Sequence, residues 1–342
     1  MSSVLWDSGQ FLERRDQCES GETRRVPLFE QPEFARENVD PRCSRANCGG
    51  FSLLELLTSL VVLMIIAGGI FSAVSTAEQT YARTEQKSDL YENVRGVEEM
   101  MQQEIGQAGL VNLPTSTLTV PVSASITAQT VIVSSTDSMF AGEQLLVDAG
   151  TANEELVTAI AVGASTVNAV FGKPHATGVP IHVLGVFPNG VVAPGTSDGS
   201  TANVLNIFGD INADGSLVYV RYTCTPGTTA APGTLTRSVT AILPGVSTIN
   251  ADQVLLSSVV GGVGVACYQY TTATAAGYTF VTNVGVTVTV QATRPDPQTG
   301  VYAQMNKPFF NLAPRNILAG LELANAGITV RLQPTPANVL AY

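Results

Sequence analysis

Between Phe51 and Phe71 the chain carries a single charge, Glu55, among Leu, Val, Ile, Ala, Gly and Met with a few hydroxyl residues. About twenty such residues in a helix reach roughly 30 Å, the thickness of the hydrocarbon core of a bilayer. The stretch therefore predicts a membrane helix around which the rest of the chain is arranged. Its odd feature is the carboxylate. An isolated one in lipid costs about 2.5 kcal/mol or more, so it marks a functional position whose partner has to be named. A newly freed terminal amine is the obvious partner.

The residues just ahead of the run sharpen this reading. Gly50-Phe51-Ser52-Leu53-Leu54-Glu55 resembles the processing motif of type IV prepilins and type II secretion pseudopilins. The resemblance implies that a prepilin peptidase cuts after Gly50 and that Phe51 becomes the N-methylated terminus. Glu55 is then the assembly carboxylate, neutralising the terminal amine of a neighbouring subunit. It also implies partners among minor and major pilins or pseudopilins, and a single pass through the inner membrane before entry into a pilus or pseudopilus. The residues alone also fit an ordinary signal anchor, with the Glu snorkelling to the interface.

Residues 1–50 are polar, rich in Arg and Glu, and free of helical or strand periodicity, the pattern of disorder. Under the resemblance they are a cleaved cytoplasmic leader. It is long for that family, and no Met other than Met1 precedes Met64, which leaves the start codon open. Arg42 and Arg45 stand just before the apolar run, and basic residues on one flank hold that flank in the cytoplasm, so the remainder is expected outside. Cys18, Cys43 and Cys48 fall in the leader, at spacings that match no metal site. Cys224 and Cys267 are the two that follow it. In an oxidising compartment such a pair reads most simply as a disulfide, the alternative being two buried free thiols.

From Ser72 to Gln107 there is no Pro, and Leu90, Val94, Val97, Met101, Ile105 and Ala108 recur at helical steps as one stripe. Glu92, Glu98, Glu99, Gln103 and Gln107 take the other face. Gly109 and Pro114 end the pattern, so the spacing predicts one helix over 51–109, loosened at Gly68-Gly69 near the membrane boundary. Its close, Glu104-Ile105-Gly106-Gln107-Ala108-Gly109, is similar to the helix end of PilW-type minor pilins and J-class pseudopilins, although no Arg stands beside Glu104.

Beyond Leu110 the composition turns to Ala, Val, Thr, Gly and Ser, in short β-branched runs bounded by turn formers, which predicts an all-β region. Runs at 130–134, 144–147, 156–162, 165–170 and 180–184 are read as strands of a small β module inserted over 115–186. Its histidines, His175 and His182, have no Cys or clustered carboxylates near them in sequence and are expected at surface or strand positions rather than as metal ligands. Its aromatics include Phe140 and Phe171 but no Trp, sparse for a carbohydrate binder. Residues 187–342 read as the pilin-like β domain, with strands at 204–208, 216–222, 234–242, 263–272 and 278–293, a loop at 294–302 and a short helix within 312–326. The fold class is thus α+β. A long N-terminal helix, membrane-spanning in its first half, precedes an antiparallel sheet domain that carries the inserted module.

Asp210, Asn212 and Asp214 alternate before Gly215, as a calcium loop begins. The twelfth position, Arg221, is not an acid, which excludes an EF-hand and favours an Asx-rich hairpin turn. No phosphate loop, nucleophile elbow or zinc motif occurs, so neither an enzyme nor a cofactor is expected. A net charge of -11 argues against nucleic acid as a partner. Two functional readings stand. One is a minor subunit that initiates or caps a type IV pilus or type II secretion pseudopilus. The other is a tip-located adhesin or ligand-binding module mounted on a pilin helix.

Overall fold

The computed structural model describes residues 52–341 apart from 115, 196–198, 244–247, 263–264 and 297. Gly50, Phe51, the three leader cysteines, Arg42 and Arg45 lie outside the described residues. Contacts divide the chain into Met1–Leu63 and Met64–Tyr342. The described part of the first unit is the start of helix α1, and all the strands belong to the second.

Helix α1 spans Leu53–Gln107. It runs unbroken through Gly68 and Gly69, where the sequence suggested a loosening. Each glycine costs about 1 kcal/mol against Ala in a helix, too little to interrupt a ladder continued on both sides by Ile, Met and Ala. Through the apolar run the side chains are exposed. Farther on, Val94, Val97, Met101 and Ile105 are buried, and they belong to the stripe read from the spacing. Gly109 ends the helix with φ +80°. A Cβ on Gly109 would lie 2.9 Å from the Phe187 carbonyl oxygen, and one on Gly190 would lie 2.2 Å from the Gly109 Cα. Only two glycines allow the helix end to seat this closely, with the Gly109 N–H donating to Phe208 O at 2.9 Å.

Seven short strands follow: β1 (Ser116–Thr117), β2 (Gln129–Ile132), β3 (Gln144–Val147), β4 (Glu155–Thr158), β5 (Ala161–Val162), β6 (Thr166–Ala169) and β7 (Pro180–Val183). They form two antiparallel sheets, β1-β7-β3-β4 and β2-β6-β5, around a core that includes Leu118, Val131, Leu145, Val147, Val167 and Phe171. The run 156–162, expected as one strand, is two. The N–H of Ala159 donates to Glu143 O and that of Ile160 to Asn168 O, so the chain steps from one sheet to the other between them.

The remaining strands make one antiparallel sheet: β8 (Val204–Gly209), β9 (Val218–Thr225), β10 (Gly233–Ala241), β11 (Gln253–Val260), β12 (Tyr268–Ala275), β13 (Tyr278–Pro295) and β14 (Tyr302–Leu312). Strand β13 is its hub, pairing with β11, β12 and β14. Its Val284, Val286, Val288 and Val290 share a core with Val97, Met101 and Ile105 of α1, Leu205 of β8 and Ile317 of helix α2 (Arg315–Asn325). Two strands of this sheet escaped the sequence reading. In β11 the order Val-Leu-Leu-Ser-Ser-Val-Val hides the period of two. In β14, Pro308 and Lys307 disguise a strand that pairs only with β13 among the strands, an edge position where Pro is tolerated.

Candidate functional site

Glu55 sits in the first turn of α1. The Ser52 carbonyl starts the ladder, accepting from the N–H of Glu55 at 2.9 Å and of Leu56 at 3.1 Å. The polar side chains that follow look after themselves, Thr58 Oγ1 donating to Glu55 O at 3.0 Å and Ser59 Oγ to Leu56 O at 2.9 Å. The Glu55 carboxylate has no hydrogen bond or ion pair among the described residues, while around it Leu53 is 84% and Leu54 70% exposed. A helix N-terminus favours a negative charge by about 0.3–1 kcal/mol, well short of the cost of about 2.5 kcal/mol or more in lipid. The difference has to come from outside the described chain. By length and composition α1 is able to cross a membrane, and none of its most apolar window is buried.

Near the other end of α1, Glu104 is buried on the sheet-facing side. Tyr222 Oη on β9 donates to Oε2 at 2.5 Å. Arg237 on β10 donates from Nε at 3.2 Å and also from Nη2. The arginine missing beside Glu104 in the sequence is thus supplied from a strand 133 residues away. Burial alone would lower the Arg237 guanidinium, but the hydrogen bond and charge of Glu104 more than offset it and the net shift is upward. Burial, reinforced by the charge of Glu104, pushes the Tyr222 phenol up. The cluster is a fully partnered polar latch between helix and sheet.

The turn between β13 and β14 also holds α1. Arg83 Nη2 donates to Asp296 Oδ1 at 2.8 Å and to Gln298 Oε1 at 2.6 Å, and Gln298 Nε2 donates to Gln79 Oε1 at 2.6 Å. The backbone N–H of Gln298, with Arg83 adding to it, holds the Asp296 carboxyl below its ordinary range against some desolvation. Lys307 on β14 pairs with Glu98 at 3.3 Å.

The other residues singled out in the sequence have different fates. Cys224 on β9 and Cys267 just before β12 are joined by a disulfide, with Cα atoms 6.3 Å apart. Asp210 is buried, and its Oδ1 and Oδ2 accept from the N–H groups of Asp214 and Gly215 at 3.0 and 2.9 Å. Asp214 Oδ1 caps Ser216 N at 2.8 Å, while Asn212 is exposed. These three carboxylate oxygens each accept a backbone N–H of the turn itself.

Of the surface or strand placings expected for it, His175 takes an extended one, in an antiparallel bridge with Val122, and not a surface one. Its side chain is fully buried, with Nε2 2.6 Å from Glu155 Oε1 and Nδ1 3.5 Å from Asp148 Oδ2. Folding brings two carboxylates that are 20 and 27 positions away to opposite sides of one ring, which no local spacing announces. His182 lies exposed on β7.

Glu143 was not singled out. It is completely buried, accepts one bond from the N–H of Phe140 at 3.3 Å, and has no partner for Oε1. Burial pushes its carboxyl up to about 8. A lone Glu between Gly142 and β3 carries no signal of this in the sequence.

Residues 45–71 match a family model described as the prokaryotic N-terminal methylation motif. Within that match Leu53 to Phe71 are the exposed, largely apolar start of α1, and 45–51 lie outside the described residues. No curated protein and no solved structure matches the chain.

Proposed function

We propose that this chain is a minor pilin or pseudopilin of the PilW type, cut after Gly50 by a prepilin peptidase and methylated on Phe51. In this reading 1–50 is the leader, 51–109 the pilin helix, 115–186 an inserted β module and 187–342 the pilin-like β domain. The subunit is anchored by a single pass in the inner membrane, with its β domains outside the cytoplasm, and joins other minor and major subunits to start or cap a pilus or pseudopilus. One observation carries the reading: a carboxylate, Glu55, with no partner among the described residues, inside the matched methylation motif on an exposed apolar helix. An amine on Phe51 of an adjacent subunit is equally costly in lipid, and pairing relieves both.

The test compares Glu55→Ala and Glu55→Gln with wild type at equal protein levels, counting filaments by electron microscopy and reading the mature amino terminus by mass spectrometry. Both variants are expected to be cleaved and folded but to initiate few filaments. Wild-type filament numbers, or an intact leader on membrane-extracted protein, would overturn the proposal.

A further inference from the structure

The inserted module is where a sequence reader looks for a ligand platform, and its aromatics do not supply one. Phe171 is 1% exposed, and Phe140 packs on Phe187 with ring centroids 5.7 Å apart. A cleft with different chemistry lies elsewhere, lined in part by strand β8 and the C-terminal residues. It encloses about 370 Å³ between the segment after β7, strand β8, the β12–β13 turn and the C-terminal residues. That volume is within the range of roughly 300–1,000 Å³ typical of small-ligand sites.

The lining divides cleanly. Phe208 and Val339 provide a buried apolar floor, and Tyr278 contributes a half-buried ring whose other contact is an edge-on approach to Phe280 at 6.3 Å. Asn189, Thr279 and Thr335 add an amide and two hydroxyls. Asn189 Nδ2 donates to Thr335 Oγ1 at 3.3 Å, a long bond that leaves the amide oxygen and the remaining amide hydrogen available. The hydroxyls of Tyr278 and Thr279 have no hydrogen-bond partner among the described residues. Among the described residues no Asp, Glu, Lys, Arg or His lines the cleft.

These properties select a ligand class. An ionic group entering the cleft would lose water and find no counter-charge among the described residues, which is costly when buried. A purely aliphatic chain would cover the amide and three hydroxyls without satisfying them, at about 1–3 kcal/mol for each group left unpaired. A neutral ring with an apolar C–H face and a rim of hydroxyls meets both halves of the lining. The apolar face rests on Tyr278 and the floor, and the rim exchanges hydrogen bonds with Asn189, Thr279 and Thr335. We propose that this cleft is a binding site for a neutral monosaccharide unit, separate from the assembly carboxylate and not dependent on the filament reading.

The full chain, held in a phosphocholine detergent so that no sugar-based amphiphile competes, is titrated with the methyl glycosides of glucose, galactose and N-acetylglucosamine and observed by saturation-transfer NMR. At least one glycoside is expected to receive transfer to its ring protons at millimolar concentration. Thr335→Val, which keeps the side-chain shape and removes the hydroxyl, should weaken that binding about fivefold to tenfold, and Tyr278→Ala should abolish it. Tyr302→Ala, outside the cleft, should leave it unchanged. No transfer from any of the three, or transfer that survives both cleft variants, would sink the assignment. Thermal midpoints of the variants separate loss of the site from loss of the fold.

Discussion

The two ends of α1 handle the same chemical problem in opposite ways. Each sets one carboxylate among apolar residues, Glu55 in an exposed apolar run and Glu104 in a packed core. Glu104 is answered inside the chain by Tyr222 and Arg237. Glu55 is answered by nothing among the described residues. A carboxylate satisfied internally holds a fold together, whereas one left unsatisfied creates a demand that another molecule can meet. Glu143 shows a third solution, since with one long hydrogen bond and no ion pair among the described residues the group is pushed towards its neutral form by burial.

The largest expected effect comes from breaking the internal answer. Glu104→Ala leaves the Arg237 charge half-buried and unpaired, and should cost about 3–5 kcal/mol in denaturant unfolding of the full chain. Glu55→Ala should leave the same unfolding midpoint unmoved. If the two substitutions destabilise equally, the contrast between the two ends of the helix is wrong.

Next in size is the disulfide, whose cysteines are separated by 43 positions. Replacing both Cys224 and Cys267 by Ser should lower stability by about 3–4 kcal/mol. Peptide mapping without reductant should find the pair linked in exported wild-type protein, and free-thiol labelling of both would contradict it.

Glu143 supplies a pH test of the third solution. Its carboxyl titrates near 8 when folded, against an ordinary value of 4.5. The folded chain therefore holds the proton more tightly than the unfolded one, and stability is full below the ordinary value. It declines as pH rises and is level again above the folded value. Between pH 5 and 8 the loss should be about 3 kcal/mol, and Glu143→Gln should flatten it. A slope unchanged in that variant would assign the titration elsewhere.

The smallest effect belongs to the Asp210 turn. Asp210→Ala strands two backbone N–H groups and should cost about 1–2 kcal/mol. Added calcium should leave the melting temperature of wild type where it was, and a calcium-dependent rise abolished by Asp210→Ala would make the turn a metal site instead.

Much of the architecture is legible along the chain because it depends on local periodicity. The buried stripe from Val94 to Ala108, the alternating valines of β13 and the glycine that ends α1 are each specified by neighbours within a turn or two. The apolar run with its single Glu is legible for the same reason, and it carries most of the functional reading. What escaped is what depends on the partner across the sheet. Strand β14 is a strand because β13 pairs with it despite Pro308, and 156–162 divides because Glu143 and Asn168 take its backbone in two directions.

The same division holds for the polar groups. By itself the sequence determined the helix, the one charge in its apolar run and the β character of all that follows, since helix and strand periods and the absence of charge are properties of residues in a row. Only the tertiary structure decided which carboxylates are paired, which are neutralised and which are left open. Arg237 reaches Glu104, and Asp148 and Glu155 reach His175, through register and packing. The desolvation that raises the Glu143 carboxyl exists only once the core has closed over it. Electrostatic environment is a property of distance and dielectric, and neither is defined until the chain is folded.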